Sequence, residues 1–185
     1  MTFVSSDLAA KRLQFLREIA PKLTRVGVIW NPDHVDPEYR ETQIAGKELG
    51  IQIQSLEVRS LDDFDAAFET ATNARIQALI PITSRLMLTN RQRIIEFSTQ
   101  RRLLLASGFG PWIKEGALLS YGPDTDASTW RAASYVDKIL HGTRPDELPI
   151  EQPTKFLLLI NRTTAKLLGV DIPPALLATA DRIIE

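Results

Sequence analysis

The chain contains four short apolar runs that each end at a small or polar residue. The runs are RVGVIW before Asn31, QALIPI before Thr83 and Ser84, LLLA before Ser107 and Gly108, and ALLS before Tyr121 and Gly122. Stretches with helical periodicity separate the first three, and this alternation predicts an α/β domain with a parallel sheet. Ligands of such sheets bind beyond the carboxyl ends of the strands. The sequence therefore predicts recognition of a small molecule by these polar residues.

Caps and breakers set the limits of the predicted elements. Ser5, Ser6 or Asp7 can cap a first helix that ends near residue 20, and Ser60 with Asp63 resembles a capping box. The predicted strands are Arg25–Trp30, 51–58, 77–82, 103–106 and 117–120. The predicted helices that follow the first are a stretch ending near residue 49, 61–73, 89–101 and a short helical or turn segment at 111–115. Short right-handed crossovers then predict a doubly wound, mostly parallel sheet with the flavodoxin-like order 2-1-3-4-5.

The last third of the chain is organised differently. An amphipathic helix is predicted over 124–140, with Asp124 as its N-cap and an apolar side formed by Trp130, Ala133, Val136, Ile139 and Leu140. The segment TRPDELPIEQP contains three prolines and predicts an extended connector. FLLLIN is a last strand, Asn161 caps a short helix, and VDIPPALLATADRIIE begins a closing helix. We therefore divide the chain into a lobe at 1–123, a helix and connector at 124–154, and closing elements of the same lobe at 155–185.

Composition narrows the classes of partner. The 185 residues are 44% hydrophobic and 24% charged, with a net charge of −1, so nucleic acid and anionic membranes are not expected partners. The chain has no cysteine, which excludes disulfides and thiolate sites. No apolar run approaches the roughly 20 residues of a membrane helix, and MTFVSSDLAAKRL lacks the apolar core of a secretory signal.

The first candidate ligand contacts each have a local alternative. The Asn31 amide can donate to a carboxylate and accept from an ammonium group, or it can bond to its own Asn-Pro loop. Thr83 and Ser84 could hold an anion at a helix N-terminus, although helix capping alone also explains them.

The later strand ends offer a second group of candidates. Ser107, Gly108 and Phe109 could supply a hydroxyl, a close backbone approach and an aromatic wall, although Phe109 equally fits the core. Tyr121 and Gly122 follow the fifth predicted strand at the same edge.

The sequence shows no recognised motif for catalysis or for binding a metal or a dinucleotide. One loop contains Asp33, His34, Asp36 and Glu38, but their spacing matches no common metal site. With two histidines and no G-x-S-x-G elbow, a hydrolase triad has no obvious members. SGFGP lacks the G-x-G-x-x-G spacing of dinucleotide-binding proteins. We expect a protein that is not an enzyme and that uses no cofactor.

The order of the predicted elements, together with four strings in the chain, carries a resemblance to a known family. RVGVIWNP, GALLSYGPD, AASYVDKILHGTRPDELPIEQPTKFLLLINRTTAKLLG and VDIPPALLATADRIIE resemble substrate-binding proteins of bacterial ABC transporters, of the tryptophan or aromatic-amino-acid type. The similarity runs from about Asp7 to Glu185. It implies a type I periplasmic-binding fold, of which this chain supplies the C-terminal lobe.

The resemblance also implies partners and a location. Family members have two lobes that close over a ligand, pass it to an ABC permease and work in the periplasm. The helix at 124–140 would reach the first lobe, so without that lobe we expect its apolar side to be exposed and to drive homodimerisation or swapping. Two alternatives stay open: a flavodoxin-like enzyme or receiver domain, and a ligand-free assembly domain. A receiver would need an acidic residue where Asn31, Thr83 and Ser107 stand.

Overall fold

A computed structural model describes residues 6–34 and 37–185, which form a seven-stranded sheet between two layers of helices. The strands are β1 Arg25–Trp30, β2 Gln52–Glu57, β3 Ala78–Pro81, β4 Leu104–Ser107, β5 Leu119–Pro123, β6 Phe156–Asn161 and β7 Arg182–Ile184. Their order is β2-β1-β3-β4-β5-β6-β7. The first five strands are parallel, β6 runs antiparallel to β5, and β7 runs parallel to β6. The predicted 2-1-3-4-5 order and the mostly parallel class are confirmed.

The helices cover both faces of the sheet. They are α1 Ser6–Ile19, α2 Glu38–Leu49, α3 Asp63–Asn73, α4 Arg85–Thr89, α5 Arg91–Gln100, α6 Trp112–Glu115, α7 Thr125–Leu140, α8 Arg162–Leu168 and α9 Pro174–Thr179, with a 3-10 turn at Pro145–Glu147. One core cluster contains Leu13 of α1 and Leu176 of α9, and the other contains Phe64 of α3 and Trp112 of α6. Neighbouring residues of β1 enter different clusters, Val28 the first and Ile29 the second, because side chains alternate along a strand.

Two helix boundaries differ from the prediction. The helix predicted at 89–101 forms as α5, and a short helix that was not predicted, α4, precedes it. The two are separated at Asn90, whose side-chain amide donates to the Leu86 carbonyl and competes with the regular helical bonds. Helix α3 begins at Asp63, not at residue 61, and the Asp63 carboxylate accepts from the N–H groups of Arg59 and Ser60. These bonds lower the pKa of Asp63. The contact between Ser60 and Asp63 therefore forms, but Ser60 lies before the helix and Asp63 is its first residue.

Strands β5 and β7 differ most from the prediction, and β4 extends to Ser107, which was predicted to follow that strand. The closing helix ends at Thr179, and the next residues form β7, because the edge of β6 is open to pairing and the Asp181 carboxylate accepts from the N–H of Leu158. Strand β5 continues to Pro123, because β6 pairs with it along its whole length. Tyr121 and Gly122 therefore lie within β5 and not after it. The predicted connector contains the 3-10 turn and is not extended throughout.

Helix α7 packs little against the rest of the lobe. None of its residues is buried, and Trp130 and Leu140 are 79% and 80% exposed. The connector is tied back to α7 by the Arg131 guanidinium, which binds both oxygens of Glu151, and by the Tyr135 hydroxyl, which donates to the Pro149 carbonyl. The helix and connector thus form an arm with an uncovered apolar side. No helix in the described ranges is long and apolar enough to cross a membrane.

Candidate ligand-binding site

The predicted contact residues gather at one edge of the sheet. β1, β3, β4 and β5 are successive neighbours that run in the same direction, so their carboxyl ends meet there. Asn31 follows β1, Thr83 follows β3 and Gly108 follows β4, whereas Tyr121 lies within β5, two residues before its end. The structure therefore places polar groups from four strands at a single edge, where ligands of α/β sheets bind.

Arg12 of α1 lies beneath this edge and was missed in the sequence. Its side chain is 2% exposed, its Nη1 forms an ion pair with the Glu38 carboxylate at the start of α2, and its Nε donates to the Tyr121 carbonyl at 2.9 Å. The signal was available: Arg12 stands four residues after Leu8 and four before Leu16, on the buried face of the helix. An arginine on that face requires a buried partner.

Two glycines allow the loop after β4 to approach Arg12 and β5. A Cβ added to Gly108 would lie 2.7 Å from Nη2 of Arg12 and 3.1 Å from Oγ1 of Thr83. A Cβ added to Gly122 would collide with the carbonyl oxygen of Gly108. The close backbone approach expected at Gly108 therefore exists, but the groups that Gly108 approaches are the Arg12 guanidinium and strand β5.

Three of the predicted contacts use their polar atoms locally. Oδ1 of Asn31 accepts from the N–H of Asp33 at 2.9 Å, and the Ser84 hydroxyl accepts from the N–H of Met87 as the cap of α4. The Ser107 hydroxyl accepts from the N–H of its neighbour Phe109 and donates to the carbonyl of the same residue. The amide nitrogen of Asn31 and the hydroxyl of Thr83 have no bonded partner within the described ranges, so they remain available to a ligand.

One aromatic candidate lies at the carboxyl edge of the sheet, and the other packs against the hydrophobic core. The ring of Tyr121 meets Phe15 edge-on at 5.3 Å and lies 6.5 Å from Phe156. Phe109 is half-buried and packs on the second core cluster, as its alternative interpretation proposed. Tyr121 is therefore the aromatic residue of the candidate set that stands beside Arg12.

A cleft of about 560 Å³ lies beside this edge, between α6, β5, β6 and the start of α7. Its lining includes Gly122, the Asp124 carboxylate and Lys155, and the two charged groups are paired at 3.1 Å. The N–H of Ala127 and the ammonium of Lys155 together lower the pKa of Asp124. The hydroxyl of Ser120, a residue 1% exposed, also lines the cleft and has no hydrogen-bond partner in the described structure. Asp124 caps α7, as predicted.

The loop after β1 does not assemble a metal site in the part of the chain that is described. There, no group of three or more His, Asp or Glu side chains could hold an ion. Asp33 is 3.4 Å from Nε of Arg59, and Glu38 is buried against Arg12. Asp36, the third residue of that loop's cluster, lies outside the described residues.

A family model described as "ABC transporter substrate binding protein" matches residues 2–184. The chain belongs to this family. As an ABC transporter substrate-binding protein it is similar to a tyrosine-binding protein of Clostridioides difficile (strain R20291), with 18% identity over 162 residues that cover 86% of this chain and 47% of the relative.

Solved structures at low sequence identity share the fold. An ABC domain from Streptococcus pneumoniae in complex with L-Trp superposes with a TM-score of 0.85 at 15% identity, covering 95% of this chain and 60% of that one. A ligand-free, open substrate-binding protein with adhesive properties from Clostridium difficile superposes with a TM-score of 0.70 at 18% identity, covering 98% and 60%. This substrate-binding chain thus spans about half to 60% of the length of these relatives.

Proposed function

We propose that the chain forms one lobe of a receptor that binds an amino acid, or a similarly small polar solute, for import by an ABC permease. The observation that supports this most strongly is the meeting of Asn31, Thr83, Gly108 and Tyr121 at the carboxyl edge of a sheet of this family's fold. The tyrosine-binding relative and the structural neighbour in complex with L-Trp favour an aromatic amino acid.

The lobe would act by supplying contacts that become complete when a second lobe closes over the ligand. Half of a clamp leaves much of a ligand in water, whereas tight small-molecule sites bury most of it. Closure then follows from the greater affinity of the ligand for the closed state. The relative with a ligand-free, open structure is consistent with such a cycle. A protein that delivers solute for import in this way would work outside the cytoplasm, on the periplasmic side.

Each edge residue has a distinct role in this proposal. The amide nitrogen of Asn31 and the Thr83 hydroxyl donate to ligand oxygens. The Tyr121 ring offers an apolar wall, and Gly108 keeps the loop low enough for a ligand to reach the edge. In this arrangement Ser84 and Ser107 shape the loops instead of touching the ligand, because their hydroxyls are already bonded.

The test is a thermal-shift screen of the chain with the standard amino acids, followed by calorimetric titration of any that stabilise it. A version joined to the first lobe of a relative is measured in parallel. We expect L-tryptophan or L-tyrosine to bind, and Thr83→Val to weaken that binding about three- to tenfold through loss of one hydrogen bond.

The matched control is Thr99→Val, since Thr99 is exposed on α5, away from the edge. It should leave the dissociation constant unchanged. The proposal is wrong if no amino acid binds either version, or if the two threonine variants bind identically to the unmodified chain.

A further inference from the structure

The guanidinium of Arg12 presents one nitrogen to the carboxyl edge. Nε is bonded to the Tyr121 carbonyl and Nη1 to Glu38, while Nη2 lies against Gly108. Within residues 6–34 and 37–185, no acceptor is bonded to Nη2. An arginine has five N–H donors, so the side chain keeps donor capacity on the side that faces Gly108 and Thr83.

The ion pair with Glu38 lies on one side of the guanidinium and leaves its other side facing the carboxyl edge. The carboxylate contacts Nη1, and the nitrogen that faces the edge is Nη2. The positive end of the pair therefore points toward the ends of β3 and β4. Both side chains are nearly fully buried, which keeps solvent screening low and strengthens the field at the edge.

Resting on the proposed function, we propose that Arg12 binds the carboxylate of the transported solute through Nη2. The ligand class is then small solutes with a free carboxylate. The Thr83 hydroxyl, next to Gly108, donates to the second carboxylate oxygen. A planar guanidinium held at two of its nitrogens is well oriented for such a contact, and charge-assisted bonds of this kind are the strong ones.

The glycine at position 108 supports this assignment. Any side chain there would crowd Nη2 and the Thr83 hydroxyl, because its Cβ alone would lie 2.7 Å from the nitrogen and 3.1 Å from Oγ1 of Thr83. Glycine at this position therefore lets the loop after β4 pack close to the guanidinium without displacing it.

The experiment compares L-tryptophan with L-tryptophanamide, and L-tyrosine with L-tyrosinamide, by calorimetric titration. Each amide keeps the ring and the ammonium group but lacks the carboxylate. We expect the unmodified protein to bind the acids about 10- to 100-fold more tightly than the amides. In the double variant Arg12→Gln with Glu38→Gln, which removes both charges and leaves neither one buried alone, this preference should fall to about onefold.

Glu38→Gln alone separates a binding role from a structural one. Removing the counter-charge leaves the cation facing the edge, so the preference for the acids should rise by about tenfold. A purely structural ion pair predicts no such rise, and the double variant, which buries no unpaired charge, decides the matter if Glu38→Gln does not fold. Arg17→Gln is the matched control, because Arg17 lies on the same helix but donates to the Leu23 and Leu49 carbonyls at the opposite edge.

The outcomes are distinct. An acid preference that persists in the double variant, or fails to rise in Glu38→Gln, overturns the role of Arg12 and leaves the proposed function standing. Binding of neither acid nor amide by the unmodified protein overturns both proposals.

Discussion

Replacement of Gly122 by alanine tests the close contact between β5 and the loop after β4. The added Cβ would collide with the Gly108 carbonyl oxygen, which belongs to the backbone and cannot rotate away. Overpacking of a well-packed interior costs about 1–3 kcal/mol, and a backbone partner places this site at the upper end. We expect Gly122→Ala to lower the free energy of unfolding by about 3 kcal/mol. For a chain of this length, that corresponds to a fall in Tm of about 6–12 °C.

Gly110→Ala provides the comparison in the same loop. Its Cβ would meet only the end of the Leu159 side chain, at 3.2 Å, and that methyl group can move. This variant should cost less than about 1 kcal/mol. Urea unfolding followed by tryptophan fluorescence and by circular dichroism measures both variants. Equal costs for the two, or a change within about 0.5 kcal/mol for Gly122→Ala, would refute the argument from the backbone collision.

Three further predictions concern the charged groups and the arm. The Arg131 guanidinium lowers the pKa of Glu151 from 4.5 to about 2. The ion pair between connector and helix is therefore complete above pH 4.5 and is lost as the pH falls through 2. NMR titration of the Glu151 carboxyl group should show this midpoint, and Arg131→Gln should return it toward 4.5. Arg12→Met should lower the free energy of unfolding by about 3–5 kcal/mol in chemical denaturation, and adding Glu38→Met should recover much of this loss. If the single and the double variant lose the same free energy of unfolding, the result argues against a buried ion pair. The uncovered side of α7 should drive dimerisation in sedimentation experiments, with Leu140→Asp shifting the chain to monomer, and a monomer at high concentration would contradict this.

Much of the fold follows from local patterns in the sequence. Strand β1 and strand β6 begin and end where their apolar runs do, and the caps at Asp124 and Asn161 form as predicted. These features depend on residues a few positions apart, so side-chain type and spacing determine them. The sheet order also follows, because short right-handed crossovers leave few other arrangements.

The exceptions show where local patterns are insufficient. β7 consists of three residues whose pairing depends on the free edge of β6, which lies more than twenty residues away in sequence. The short helix α4 was not predicted, and its separation from α5 depends on whether the Asn90 amide bonds to the Leu86 carbonyl or to water.

The sequence by itself determined the sheet, its order and the edge at which the polar residues gather, since these depend on periodicity and chain connectivity. Only the tertiary structure decided which of those residues remain available to a ligand. The hydroxyls of Ser84 and Ser107 are bonded within their own loops, whereas the buried cation of Arg12 reaches the edge from a helix that precedes every strand. The physical reason is that a polar group forms hydrogen bonds with the partners nearest to it in space, which the folded structure sets. Three separate elements meet at Arg12 only when the chain has folded.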